Sequence, residues 1–477
     1  MQEPPGPGAE TQQPHGAPGA RRSHAGAAEP GEPRGRAAAI LARQDRIPVW
    51  ALPWFYLAII GTGYFFTFYD ITDIGFALPQ IQTQFHLTGN ESTFLALAIG
   101  LIGYAAGSIV IGGLADRVGR FRMLLATITL TAIGSFGDGA AQSLAMLVVF
   151  RFITGMGVGA DLNLVSTYIG ELAPARLRGR ISVVTFLVGI IGQAVTPLIA
   201  LALIPSLHNG WRWLFFIGGI IAVIALVARF ELPESPRWLA LHGHLDEAEE
   251  LVGEMERRAR ERGATLPEPD PAEVDTRRGF PFAELLRPPY VRRVALFLVM
   301  WFFWYIGNYG FLGDAPALFK DHGLTAGTSY LAIGAIGYPV GAIVMIFAVE
   351  RFERRLLLPG SALVWLAAMI VIGAASSETV LIVGAFLASM ALGMYLQAAY
   401  TFTAESFPTR ARASGFSLCD GLGHGGGALG ALMLPDVVSS LSFFWGFTLI
   451  GITGMIAGLI ALGGPSASNL SLERISR

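Results

Sequence analysis

Ionisable side chains buried in long apolar runs are the residues of this sequence best placed to do chemistry. Asp70 lies midway along the run 53–81, and Asp73, three residues on, falls near the same helical face. Arg151 and Asp161 sit in the run 143–168, while Asp420 and His424, one helical turn apart, sit in 412–435. Groups of this kind are costly in hydrocarbon and face a cavity or a partner when they occur there. What they offer is exchange of a proton or capture of a polar solute. Covalent chemistry has no comparable candidate. No nucleophile–base set, metal cluster or phosphate-binding glycine loop stands at interpretable spacing. Cys419 is the sole cysteine, which excludes internal disulfides and a thiolate metal site. Gly155, Gly157 and Gly159 lie inside an apolar stretch with no strand before it, so helix packing explains them better than dinucleotide binding. The expectation is no enzyme, no cofactor, no catalytic residue and no resident metal.

The elements that must hold these residues are membrane spans. Of 477 residues, 53% are apolar and 14% charged, against roughly 25% charged in soluble domains. Net charge is −2, giving no basic field to recruit nucleic acid. A spanning helix takes about 20 mostly apolar residues. Runs of that kind lie near 53–81, 92–114, 122–141, 143–168, 181–203 and 212–231, then near 292–318, 328–349, 356–375, 378–404, 412–435 and 441–463. The sequence therefore predicts an all-α membrane protein of twelve spans in two six-helix bundles, at 51–231 and 291–465. Residues 232–290 read as a polar linker with a short helical pattern from Leu245 to Arg262. Residues 1–50, rich in Pro, Gly, Ala and Arg, read as a disordered tail, with a second tail at 466–477.

Orientation follows from the loop arginines, which mark the cytoplasmic side. With both termini inside, the short inner loops hold eleven arginines and the outer loops hold only Arg212 and Lys320. Asn90-Glu91-Ser92 is a glycosylation triplet in an outer loop, of a kind that arises by chance, and the composition reads as bacterial. The location expected is therefore the inner (plasma) membrane, multi-pass. A repeat strengthens the two-bundle reading. Asp116-Arg117 and Arg120 recur as Glu350-Arg351 and Arg354, and Glu171, Pro174, Arg176 and Arg178 recur as Glu405, Pro408, Arg410 and Arg412, all at an offset of 234. Two parallel halves place a binding site between them near mid-membrane, with rocking of the halves giving alternating access. Acids among arginines form charge-assisted networks, so Asp116, Arg117, Arg120, Glu171, Arg178, Glu350, Arg351, Glu405 and Arg412 are read as a cytoplasmic gate; the alternative is that the arginines serve as positive-inside anchors.

These motifs resemble the major facilitator superfamily, in particular its sugar-porter-like, metabolite:proton symporter branch. Gly113-Leu114-Ala115-Asp116-Arg117-Val118-Gly119-Arg120 is similar to the superfamily signature between spans 2 and 3. Arg151 to Gly159, continuing to Glu171-Leu172-Ala173-Pro174 and Arg178-Gly179-Arg180, resembles the span 4 pattern, and Pro233-Glu234-Ser235-Pro236-Arg237-Trp238-Leu239 resembles the element after span 6. The resemblance covers about residues 50–465. It implies a secondary active transporter of a small organic solute, with that solute, protons and the bilayer as partners and no obligate protein partner. It also implies that Asp70 carries a coupling proton tuned by Arg151, where a static ion pair is the alternative. Asp73 reads as a second proton group or a vestibule acid. Asp161 stands where phosphate symporters of the superfamily carry an acid, though Leu162-Asn163-Leu164 departs from their pattern, and a solvated vestibule acid is the alternative.

The resemblance also maps a substrate pocket, and the departures there bear on specificity. Gln193 matches one span 5 glutamine, while Phe186 replaces the other. The paired glutamines of span 7 appear as Phe303 and Trp304, followed by Asn308 and Tyr309. Tyr400 stands where a tryptophan is usual, with Gln397 one turn before it, and His424 occupies a ligand-facing place near Asp420. Such a pocket is more aromatic and poorer in amides than one for a simple hexose, and suits an aromatic or organic acid or another metabolite. Proton symport is the expected mode. An uncoupled facilitator or exporter, or a non-transporting sensor of the same fold, are the alternatives.

Overall fold

The computed structural model describes residues 33–87, 98–174, 176–270, 282–321, 331 and 333–466. The Asn90-Glu91-Ser92 triplet and the tail 467–477 lie outside these residues. Among the described residues every regular element is a helix. α1 (Pro33–Asp45) precedes six long helices, α2 (Phe55–Phe85), α3 (Ile99–Val118), α4 (Arg120–Ala140), α5 (Leu144–Leu172), α6 (Arg178–Leu203) and α7 (Gly210–Arg229). Two polar-side helices follow, α8 (Pro236–His242) and α9 (Leu245–Glu261). The second half holds α10 (Tyr290–Asp321), α11 (Gly337–Ala348), α12 (Arg354–Gly373), α13 (Glu378–Glu405), α14 (Arg412–Gly423), α15 (Gly425–Ser440) and α16 (Phe443–Ile460). α14 and α15 are one span in two segments that meet at His424.

Local chemistry sets several boundaries. The Ser143 hydroxyl accepts the Met146 N–H to begin α5, and Ser442 accepts from Trp445 to begin α16. α8 has Ser235 as its cap, Pro236 in its first turn and left-handed Gly243 at its end. Gly119, in the signature between α3 and α4, has φ +118°, and a Cβ there would lie 2.3 Å from Glu234 Oε2. That carboxylate accepts the first N–H groups of α4, from Arg120 and Phe121.

Among the described residues, nine helices are long and apolar enough to cross a membrane unaided. The other spans are α2 with Asp70 and Asp73, the short α11, and the α14/α15 span with Asp420 and His424. α2 carries two acids into the interior, and the α14/α15 span is divided into helices of 12 and 16 residues. Close packing in the first half rests on glycine. A Cβ on Gly107 of α3 would sit 2.0 Å from the Met156 carbonyl of α5, and one on Gly155 would sit 2.3 Å from the Gly100 carbonyl. Between halves, α3 packs on α14 and α6 packs on α11. These are the same pair of contacts exchanged by the repeat, as a two-fold axis between the bundles requires.

The tail differs from the reading of 1–50 as disordered. Residues 33–45 form α1, which buries Ala37, Ile40 and Leu41 against Trp238, Leu239, Leu241, Ala248 and Val252 of α8 and α9. The spacing i, i+3, i+4 gives α1 one apolar stripe, and its other face is basic. Arg43 and Arg46 both reach Glu256 of α9, at 2.9 and 2.5 Å, and Arg36 reaches Asp246 and Glu249. Burial alone would raise the Glu256 carboxyl, but the hydrogen bonds from Arg43 and Arg46 prevail and hold it below its ordinary value. A lowered carboxyl pKa contributes stability that is present above the ordinary carboxylate range and lost as pH falls through the lowered value. Limited proteolysis should therefore find α1 protected at neutral pH and cleaved below about pH 4. Glu256→Gln should release it at neutral pH, whereas protection unchanged in that variant would show that the apolar stripe alone holds the helix.

Candidate functional site

Three spans bring four buried ionisable groups together beside a cleft. Arg151 of α5 points one guanidinium nitrogen at Asp70 Oδ1 (3.4 Å), Asp138 Oδ2 (3.5 Å) and Asp73 Oδ1 (3.9 Å). Asp70 and Asp73 come from α2, one turn apart, and Asp138 comes from the end of α4. The Ser135 hydroxyl donates to Asp70 at 3.4 Å and Thr154 donates to Asp138 at 3.0 Å, while neither oxygen of Asp73 has a hydrogen-bond partner. Asp70 and Arg151 line a cleft of about 360 Å³ together with Tyr104 and Tyr309. The sequence reading paired Asp70 with Arg151 and missed Asp138. Its signal was available: an acid inside the apolar run 122–141.

Asp161 is neither a vestibule acid nor part of this group. It is buried at 0% exposure and held bidentately by Arg229 of α7 at 2.6 and 2.8 Å. Thr127 donates to it at 2.7 Å, and Arg229 also donates to the Leu124 carbonyl at 2.6 Å. A pair held by this many bonds ties α4, α5 and α7 together.

Between the halves lies a cleft of about 280 Å³ lined by Gln193, Asn308, Tyr309, Tyr400 and His424, with Phe68, Tyr305 and aliphatic side chains. A larger cleft of about 870 Å³, counted out to its open mouth, extends it past Thr72, Pro197, Tyr338 and Ser389 toward the end opposite the arginine-rich rim. Ile71 and Tyr309 line all three spaces. Within the central cleft Gln193 Nε2 donates to Tyr338 at 3.1 Å, and the side-chain oxygens of Gln193 and Asn308 are buried without donors. Two residues read as pocket members lie elsewhere. Trp304 stacks flat on Tyr395, ring centres 3.4 Å apart, and tilts against Trp365. Gln397 donates to Thr401 one turn along α13. Neither borders any of the three clefts; Trp304 turns instead to the rings of the second bundle.

Asp420 and His424 do come together. Tyr104 and Tyr305 donate to Asp420 at 2.7 and 2.6 Å, His424 Nδ1 donates to the Asp420 carbonyl at 2.8 Å, and the imidazole lies between the Tyr104 and Tyr305 rings, 3.7 and 3.8 Å from their centres.

The arginine-rich rim is closed by bonds that repeat. Glu171 takes Arg120 from its own half at 2.9 Å and Arg412 from the other at 3.2 Å; Glu405 takes Arg354 at 2.7 Å and Arg178 at 3.4 Å. The offset of 234 maps each of these pairs onto its counterpart. Asp116 accepts from Arg120 at 3.0 Å and from the Ser414 hydroxyl at 2.6 Å, and Glu350 accepts the Arg180 N–H at 2.8 Å. Arg117 and Arg351 correct the reading: both are exposed, and among the described residues neither makes an ion pair, since they point away from the junction.

The match to known proteins covers nearly the whole chain. Residues 55–477 match the family described as sugar (and other) transporter. A putative metabolite transport protein of Bacillus subtilis is 27% identical over 86% of this chain and 91% of its own length. The niacin transporter of Acinetobacter baylyi is 28% identical over 91% of this chain and 99% of its own. Among solved structures, the major facilitator proton:xylose symporter of E. coli superposes with a TM-score of 0.73 at 20% identity, over 92% of this chain and 99% of that one. The chain thus belongs to the sugar (and other) transporter family, a transporter of small solutes and not an enzyme, and it has the fold of the major facilitator xylose symporter.

Proposed function

We propose that this transporter is a proton symporter of the inner membrane, with both termini and the 232–290 linker cytoplasmic, bundles at 51–231 and 291–465, and the arginine-rich rim as its inner gate. The observation that carries the reading is Arg151 facing three carboxylates beside the solute cleft. Three ionised acids would leave two uncompensated negative charges in a water-poor interior, so the group shares protons and titrates as a unit. Asp70 lines the cleft and is the member best placed to exchange a proton with it. Asp73 and Asp138 set the charge that Arg151 must balance.

The central cleft supports a solute with an apolar ring face and one or two hydrogen-bond donors. Tyr309 and Tyr400 supply ring surfaces, and the bare oxygens of Gln193 and Asn308 need donors. Relatives are named for niacin, glucose, gallate and xylose, which makes these four the first probes. In proteoliposomes with an acidic exterior, one of them should accumulate above equilibrium and leak out when a protonophore is added. Accumulation that ignores the pH gradient would contradict symport. For the solute so found, Asn308→Ala should raise KM about tenfold or more, the value of one lost buried hydrogen bond to a polar group. Trp304→Phe should leave KM within about twofold; the reverse ranking would move the pocket to the Tyr395 stack.

A further inference from the structure

α3 and α14 are joined along a seam that runs from the rim to mid-membrane. Ser414 donates to Asp116 at the rim, Ser108 donates to the Ser417 carbonyl at 3.1 Å further in, and Tyr104 donates to Asp420 at 2.7 Å at the inner end. Asn163 of α5 braces the middle through Ser108 at 2.5 Å. Asp420 is wholly buried, and among the described residues no arginine or lysine pairs with it. The titratable groups around it are Tyr64 of α2, Tyr104 of α3, Tyr305 and Tyr309 of α10, Tyr400 of α13, and Cys419 and His424 of its own span. His424 Nδ1 is 3.9 Å from the carboxylate and already donates to the Asp420 backbone carbonyl. A buried carboxylate answered by two phenols and the Asn163 amide, with no cation, is stabilised as an anion while those donors stay in place, and two of them, Tyr104 and Asn163, belong to the opposite half.

We propose that Asp420 is a second proton-binding site, and that a proton placed on it loosens the α3–α14 seam and so releases the inner gate. The inference rests on the proton-symport reading of the Arg151 group and adds a step to it. Tyr104 lines the cleft that also holds Asp70 and Arg151. Its phenol gives its hydrogen to Asp420 and takes one from a hydronium ion entering that cleft, which is left as water, so the phenol is unchanged and the carboxylate becomes an acid. A neutral acid makes a weaker bond to Tyr104 than the carboxylate does. Linkage then requires that protonation of Asp420 and opening of the seam favour each other.

The test needs no solute. In a Cys419→Ser background of the full chain, spin labels on Arg117→Cys and Arg351→Cys, both exposed at the rim in opposite halves, report the gate by pulsed electron paramagnetic resonance. Going from about pH 8 to about pH 5.5 should raise the long-distance population by about tenfold. Asp420→Asn keeps the shape without the charge, and should show the long distance at both pH values. Asp70→Asn should keep the pH response even where it abolishes proton-driven uptake, which separates failure of this proposal from failure of the symport reading. A pH response in Asp420→Asn equal to that of the parent would overturn the proposal, as would a response lost in Asp70→Asn alone. Should Asp420→Asn not be recovered folded, Tyr104→Phe carries the test. It should open the rim at about pH 8, and a distribution like the parent's would overturn the proposal.

Discussion

An Arg229→Met protein is expected to be largely lost as folded transporter, and adding Asp161→Asn is expected to bring most of it back. Arg229 is fully buried and satisfies both oxygens of Asp161 as well as the Leu124 carbonyl. Removing one partner strands the other charge in the bundle, at a cost of about 3–5 kcal/mol, a large part of the roughly 5–15 kcal/mol that holds a native protein together. Removing both leaves a neutral amide that Thr127 still contacts. The double variant is not expected to equal the parent, because α2 is fitted to the guanidinium: a Cβ on Gly63 would lie 1.8 Å from it. Thermal unfolding of detergent-purified protein, followed by size-exclusion recovery, reads the effect. The single variant should melt well below the parent, and the double should lie between them. A single variant as stable as its parent would mean that water reaches Asp161. Arg151 should behave differently. One of its acids, Asp70, borders a cleft, so when Arg151→Met removes the cation the group can take up protons, and coupling should fail before folding does.

Glu171→Gln is expected to open the rim. Glu171 binds Arg120 of its own half, Arg412 of the other and the Ser235 hydroxyl. Neutralising it removes one of the two symmetric clasps between the bundles. Truncating a charged hydrogen-bond acceptor in such a node is worth about 1.5–3 kcal/mol, which shifts a two-state equilibrium roughly 10- to 100-fold. Ser182 lines a small cavity behind the rim with Arg178, Glu405 and Arg412, so a Ser182→Cys probe in a Cys419→Ser background can be alkylated only when the rim parts. Alkylation should be at least about tenfold faster with Glu171→Gln. Glu405→Gln should act alike, since Arg354 and Arg178 take the corresponding places. Equal labelling in all three proteins would show that the charge network is not what closes this end.

The fold was legible because its signals are long. Twelve apolar runs, two charged motifs at one offset and a sided distribution of arginines each follow from physics that sequence carries directly. The rim residues were legible for the same reason, with Arg117 and Arg351 drawn in wrongly because a motif names neighbours in sequence, not directions on a helix. Asp70, Asp73 and Arg151 stood out as charges in apolar runs. Asp138 lay inside an apolar run too and was passed over, near the end of its span, and Arg229 at the end of its own read as an anchor. Trp304 shows the limit most plainly. Its neighbours Asn308 and Tyr309 reach the cleft, yet Trp304 turns to Tyr395, and only packing decides which face of α10 a residue takes. α1 was missed by its composition: an Arg- and Ala-rich stretch becomes a helix once α9 offers Glu249 and Glu256, a tertiary partner that no local pattern announces.

The most direct test of the central claim counts protons against solute in proteoliposomes, comparing the parent with Asp70→Asn. An internal pH dye would follow proton entry, and labelled solute would follow uptake and entrance counterflow. The account predicts that solute entering the parent brings protons with it, and that Asp70→Asn loses both proton entry and accumulation while counterflow continues. Proton entry that tracks solute unchanged in Asp70→Asn would contradict it.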